Sequence, residues 1–146
     1  MSKIKVLPDS LANKIAARFP NREMRSEAAF IKGVYFNQVK RYADARKWLD
    51  TAIVINYTFS EAYMEKGYSL FDEQKYDEAY KTFNRLAEIN TKYADAWYWM
   101  AKCQEALGKP QEAINNYQQA YALDKNITEA LNAAERLQKE ATNKRK

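Results

Sequence analysis

The chain has 146 residues, enough for one domain with a buried core, and its 47% hydrophobic content with three Gly and three Pro excludes a disordered or turn-rich β chain. A single Cys103 rules out an intramolecular disulfide framework or a cysteine metal cluster, and the absence of histidine removes the side chain best suited to proton transfer and metal ligation near neutral pH. The net charge of +5 is terminal: residues 1–25 hold six basic and two acidic side chains, residues 128–146 five and three, and residues 26–127 thirteen and fourteen.

The N-terminal ten residues carry Lys3 and Lys5 but no apolar run of signal-peptide length, and no segment reaches membrane-span length, so the expectation is a cytoplasmic protein. Within residues 6–19, Leu11, Ile15 and Phe19 recur at four-residue steps, Asp9 or Ser10 can cap, and Pro20 stops the run. This predicts a short amphipathic helix, either a lid on the flank of the neighbouring segment or an insert in a groove. The run Lys5-Val6-Leu7-Pro8-Asp9-Ser10-Leu11-Ala12-Asn13-Lys14-Ile15-Ala16-Ala17 is similar to the opening of the MutL mismatch-repair ATPases. It departs from them at Arg18-Phe19-Pro20, and Gly33, Gly67 and Gly108 are isolated rather than gathered in a nucleotide loop, so no ATP site is expected.

From Asn21, a possible cap, a register of 34 residues runs unbroken to Ile127. The units 26–59, 60–93 and 94–127 align without gaps, placing Ala45, Ala79 and Ala113 in one column and Gly33, Gly67 and Ala101 in another. Leu49, Phe83 and Tyr117 form a third column, and Ala52, Leu86 and Ala120 a fourth. A fixed period of this length predicts stacked helix-turn-helix units, with A helices near 26–39, 60–73 and 94–107 and B helices near 42–55, 76–89 and 110–123. Lys40-Arg41, Gln74-Lys75 and Gly108-Lys109 are the expected turns, Pro110 suits a first helical turn, and Thr58 with Glu61 and Asn126 with Glu129 have capping-box spacing. Thr128 to about Asn143 keeps Leu131, Ala134 and Leu137 on one face, as a helix closing the last unit would, and a basic tail reaches Lys146.

These columns strongly resemble the tetratricopeptide repeat family over residues 26–127, with 128–143 as its usual solvating helix. The resemblance implies an all-α, right-handed α-solenoid, organised as an N-terminal helix and connector (1–25), three repeats (26–127) and a capping helix with basic tail (128–146). Departures are Tyr57, Thr91 and Lys125 where proline is common, Lys32 and Lys66 at a usually apolar position, and Ala29 where later units have Tyr63 and Trp97. Carboxylates recur once per repeat (Glu27, Glu61, Asp95, Glu129 opening A helices; Asp44, Glu78, Glu112 opening B helices), where they favour the positive helix end. Neither catalytic residues nor a metal or cofactor are expected.

In this family the A helices line a concave groove. Matching positions here are Phe30, Val34, Asn37 and Gln38; Met64, Glu65, Tyr68, Phe71 and Asp72; Tyr98, Trp99, Lys102 and Glu105; and Asn132, Arg136 and Lys139. From these, Phe30, Val34, Asn37, Met64, Tyr68, Phe71, Tyr98, Trp99, Lys102 and Arg136 are the expected peptide-binding residues. One subclass grips the C-terminal carboxylate of chaperone partners with Lys, Asn and Arg or Lys; Phe30, Val34 and Trp99 stand at those positions, so that clamp is missing. The implied function is a non-enzymatic adaptor or co-chaperone-like scaffold holding an apolar or amphipathic segment of a partner protein. Two alternatives are a homo-oligomer whose groove takes its own N-terminal helix, and an RNA-associated factor using basic termini and groove aromatics. Nucleic acid is the less expected partner because the basic residues lie at the chain ends rather than on a stripe.

Overall fold

The computed structural model describes residues 21–146 together with Lys14. The helix expected over 6–19 and the MutL-like run therefore lie outside the described residues. The fold class is all-α, with seven helices and no strand among the described residues. Contacts divide the chain after Glu73 into two compact units. That division falls in the turn between the A and B helices of the second repeat, so the first unit holds A-B-A and the second B-A-B plus the last helix.

The first unit contains α1 (Arg22–Gln38), α2 (Tyr42–Ile55) and α3 (Ser60–Asp72). Asn21 does cap α1: its Oδ1 accepts the Glu23 backbone N–H at 2.8 Å, satisfying one of the donors that an α-helix leaves open at its start. The helix ends in a Schellman turn, where Lys40 has a φ of 61°, its N–H donates to Asn37 O at 3.0 Å, and the Arg41 N–H donates to Phe36 O at 2.8 Å. Ala29, Phe36, Ala45, Leu49, Ala52 and Ala62 form the core. Gly33 is where α1 crosses α2 most closely: a Cβ there would stand 2.5 Å from Leu49 Cγ and Cδ2 and 3.3 Å from Ala45 O.

Both lysines at usually apolar positions are accommodated by α2. The stem of Lys32 is buried, with 2% of the residue exposed, and its Nζ sits 3.6 Å above the Trp48 ring. Lys66 on α3 pairs with Asp50 at 2.7 Å. A polar seam joins α2 and α3 further along: Arg46 forms an ion pair with Glu73 at 2.6 Å and donates to Ser69 Oγ at 3.1 Å, while Ser69, 1% exposed, donates to Tyr42 O at 3.2 Å. Burying that hydroxyl is tolerable because both of its roles, donor and acceptor, are filled.

The second unit contains α4 (Tyr76–Ile89), α5 (Ala94–Ala106), α6 (Pro110–Leu123) and α7 (Thr128–Lys144). Pro110 occupies the start of α6, and a second Schellman turn closes α5, with Gly108 at a φ of 72° and Lys109 N–H donating to Gln104 O at 2.8 Å. Ala101, Ala113, Tyr117, Ala120, Ala130, Ala134 and Leu137 form its core. The three expected turns thus share one conformation, since Gln74 also has a φ of 61°. Only the third carries the residue for which that conformation has no steric penalty.

Two expectations about helix starts are corrected. The Thr58 and Asn126 capping boxes do not form, because α3 and α7 begin one residue later than those boxes require, with Phe59 and Ile127 at the caps and no side-chain bond there. The loops instead turn on Asn56, Asn90 and Asp124, spaced by 34 residues, whose side-chain oxygens accept the N–H of Thr58 (3.2 Å), Lys92 (3.3 Å) and Asn126 (2.9 Å). The helix after each of two loops fastens that loop back: Tyr63 Oη donates to Tyr57 O at 2.9 Å and Trp97 Nε1 to Thr91 O at 3.1 Å. Glu27 is also reassigned. Because α1 begins at Arg22, its first-turn acid is Glu23, and Glu27 stands a turn further in.

Two stability measurements test this geometry. Gly33→Ala lowers the melting temperature although alanine gains about 1 kcal/mol of helix propensity, since the overpacking against Leu49 costs about 1–3 kcal/mol; in a Leu49→Ala background the same change is harmless or stabilising. Lys40→Gly raises stability by up to about 1 kcal/mol, and Gly108→Ala lowers it by a similar amount, both read from urea midpoints.

Candidate functional site

Six of the ten expected binding residues lie in the first unit and four in the second. In the first, Phe30, Val34 and Asn37 share one face of α1, and Met64, Tyr68 and Phe71 one face of α3, each spaced at three, four or seven residues. Asn37 links the helices: its Nδ2 donates to the Glu65 backbone oxygen and to Glu65 Oε2, both at 3.0 Å, leaving its buried Oδ1 without a hydrogen bond. Phe30 packs on Phe59 with ring centroids 4.9 Å apart. Phe30, Val34, Tyr68 and Phe71 remain partly exposed, whereas Met64 is only 4% exposed and belongs to the interior.

The second unit brings its four together more tightly. On α5, Tyr98 and Trp99 meet edge to face at 5.9 Å, and Lys102, one turn on, places its Nζ 4.8 Å from the Trp99 ring centroid and 5.7 Å from that of Tyr98. Trp99 is held from behind by Phe83 of α4, stacked at 5.8 Å, and Tyr98 packs on Tyr117 of α6 at 5.6 Å. The rings are therefore fixed by core residues while part of each remains in contact with solvent. Arg136 of α7 joins through Glu105: its Nη2 lies 2.6 Å from Glu105 Oε2, and its Nη1 lies 3.4 Å from Glu140.

Glu105 is the hub of this cluster, and its spacing of seven from Tyr98 was the available sign. Its Oε1 accepts the Tyr117 hydroxyl at 2.9 Å while Oε2 takes Arg136. Burial, followed by that hydrogen bond, raises the Tyr117 phenol well above its ordinary 10.0. Burial and the nearby Glu129 and Glu105 charges raise Tyr98 as well, and the Glu105 hydrogen bond holds the Arg136 guanidinium more firmly protonated. Cys103 on the same helix is fully buried, its thiol pushed up from 9.0 to about 12 by desolvation, with Lys102 offsetting part. It is an inert core residue at neutral pH. No group of acids and cysteine able to hold a metal occurs among the described residues. No helix there is long and apolar enough to cross a membrane. The cluster presents two aromatic faces, one cation and a fixed carboxylate–guanidinium pair.

The raised thiol and phenol make stability depend on pH. Above pH 9–10 the unfolded chain releases the Cys103 and Tyr117 protons and the folded chain keeps them, so stability is full below that range and falls as pH rises. The slope is about 1.4 kcal/mol per pH unit for each group. Urea unfolding between pH 8 and 11 is expected to show this loss, and Cys103→Ala or Tyr117→Phe to flatten it by one proton each.

Residues 38–120, more than half of the chain, match the family model described as "Anaphase-promoting complex, cyclosome, subunit 3". The chain is 23% identical over 91 residues to anaphase-promoting complex subunit 3 of Schizosaccharomyces pombe, a stretch that is 62% of this chain and 14% of that protein. It thus spans a small part of that relative. It is 30% identical over 69 residues to an uncharacterized protein of Methanocaldococcus jannaschii, covering 47% of this chain and 80% of the other. Among solved structures it is similar to MamA (TM-score 0.79, 22% identity, 91% of this chain and 76% of that one). It is also similar to the first tetratricopeptide repeat domain of Spaghetti (RPAP3) bound to an HSP90 peptide (0.77, 18%, 82% and 95%). A third is the Yersinia enterocolitica type III secretion chaperone SycD in complex with a peptide of the translocator YopD (0.74, 20%, 79% and 93%). At these identities the structural likeness is one of fold, and the fold is the stacked tetratricopeptide repeat. The chain belongs to the family of anaphase-promoting complex, cyclosome, subunit 3, whose repeats are of tetratricopeptide type.

Proposed function

We propose that the chain is a protein-interaction module that holds an apolar or amphipathic segment of a partner protein on the faces of its A helices. The observation that carries this reading is the Tyr98–Trp99–Lys102 cluster. Two large rings are locked by Phe83 and Tyr117 behind them and left partly open in front, with a cation set against both. Rigid aromatic anchors lose little side-chain entropy on binding, which is why they dominate binding energy where they occur. A monomer with no ligand gains nothing from keeping them partly exposed.

The likeness in fold to SycD with its YopD peptide and to the Spaghetti domain with its HSP90 peptide supports a peptide ligand, and a family named for a subunit of a multiprotein complex supports a scaffolding role. The ligand differs in kind from a chaperone tail. Phe30, Val34 and Trp99 stand where a carboxylate clamp needs lysine, asparagine and a further cation, so an acidic C-terminus gains no charged partner there. Catalysis has no support in this reading, since the acids of the site are committed: Glu105 to Tyr117 and Arg136, Glu65 to Asn37.

The test is affinity capture from source-cell lysate with the wild-type chain, a Tyr68→Glu, Tyr98→Glu double variant and a Lys102→Glu variant, each checked for helix content. Loss of one captured protein from both folded variants supports the reading. Identical capture by all three, or a stable oligomer of wild type that captures nothing, overturns it in favour of self-assembly.

A further inference from the structure

The first unit carries an open cavity of about 550 Å³ at the N-terminal end of α1 and the entry to α3, whose lining includes the apolar Phe30, Ile31 and Phe59 and the acids Glu23, Glu27 and Glu61. We infer that this cavity takes an apolar side chain of a partner segment that presents lysine or arginine beside it, so that the ligand of this unit is a basic amphipathic peptide. The inference rests on the peptide-binding reading above and adds the charge of the ligand to it.

Two observations carry it. The first is the size and lining of the cavity: several hundred Å³ with two rings and an isoleucine in its lining leaves room for a large apolar side chain and its neighbours. Phe30 and Phe59 are packed on each other at 4.9 Å, so the floor is formed in advance, and Ile31 is 43% exposed. The second is the state of the rim. Among the described residues none of the three carboxylates is in an ion pair, and what sets them apart from other unpaired acids such as Glu78, Asp95 and Glu112 is that all three line one cavity. Glu23 and Glu61 gain from the helix starts on which they sit, but Glu27 stands in the second turn, where that benefit has faded.

The experiment uses the full chain and two labelled 12-residue peptides with leucine at the same first, fifth and ninth positions, one with lysines and the other with glutamates at the flanking sites, read by fluorescence anisotropy. The lysine peptide is expected to bind about tenfold more tightly at low salt, a preference that shrinks toward physiological salt. Glu27→Gln with Glu61→Gln removes most of that preference, while Glu112→Gln, an exposed first-turn acid of the second unit, leaves it intact. Equal binding of both peptides overturns the charge assignment and leaves the peptide-binding reading standing. A preference that survives the Glu27 and Glu61 changes, tighter binding of the glutamate peptide, or binding of neither peptide overturns the pocket assignment, whereas the lysate capture judges the wider reading separately.

Discussion

Everything in the first unit depends on how closely two helices can cross. Gly33 lets α1 press on Leu49 and the Ala45 carbonyl at a distance that leaves no room for even a methyl group, and Ala45, Ala52 and Ala62 line the same seam with complete burial. Close crossing brings large areas of helix surface into contact, and the bulky residues then fill the remaining space at near-crystalline density. The second unit uses the same device with alanine alone: Ala101, Ala113, Ala120 and Ala130 are fully buried around Tyr117. Helices joined at that distance must be joined by short turns. That requirement explains why Lys40 and Gln74 accept a left-handed backbone that would otherwise favour glycine.

A seam packed this way also decides where polar groups can go. The helix surface that faces a neighbour but lies beyond the alanine column is within reach of long side chains, and there the chain uses charge: Lys32 over Trp48, Lys66 to Asp50, Arg46 to Glu73 and Ser69. Exposed pairs of this type add little, but Arg46 and Ser69 are largely withdrawn from water, and removing Arg46 would take the donor from Ser69 Oγ and this cation from Glu73. The Lys32 contact ties α1 to α2, and the Lys66 and Arg46 contacts tie α3 to α2. In the second unit the Glu105 links to Tyr117 and Arg136 do the same for α5, α6 and α7.

Most of this fold was legible in the sequence because its strongest constraints are periodic. The B helices at 42–55, 76–89 and 110–123 agree with expectation at both ends, since a 34-residue spacing of small residues leaves no freedom in where they start. Caps were less legible. A threonine or asparagine three residues before a glutamate satisfies the capping-box spacing equally well whether or not the helix begins there. The competing turn chemistry of Asn56, Asn90 and Asp124 shifted the start by one residue. The candidate site was half legible: the resemblance to tetratricopeptide repeats marked Tyr98, Trp99 and Lys102 as groove positions, but matching positions say nothing of depth or partners, so Met64 proved to be interior and Glu105 to be the hub of the hydrogen bonds.

The columns themselves separate scaffold from recognition on physical grounds. Positions that pack against a neighbouring helix face the same geometric problem in every unit and receive the same answer: alanine at 45, 79 and 113, a large buried residue at 49, 83 and 117. The A-helix face has no such repeated problem. The column of Val34, Tyr68, Lys102 and Arg136 runs from aliphatic to aromatic to cationic, and that of Asn37, Phe71, Glu105 and Lys139 is as mixed. Packing alone would tolerate one residue type throughout either column, because these positions remain at least partly exposed. Variation where the backbone repeats marks these as positions that helix packing does not fix, in contrast to the alanine columns, which the crossing of neighbouring helices holds to one residue size.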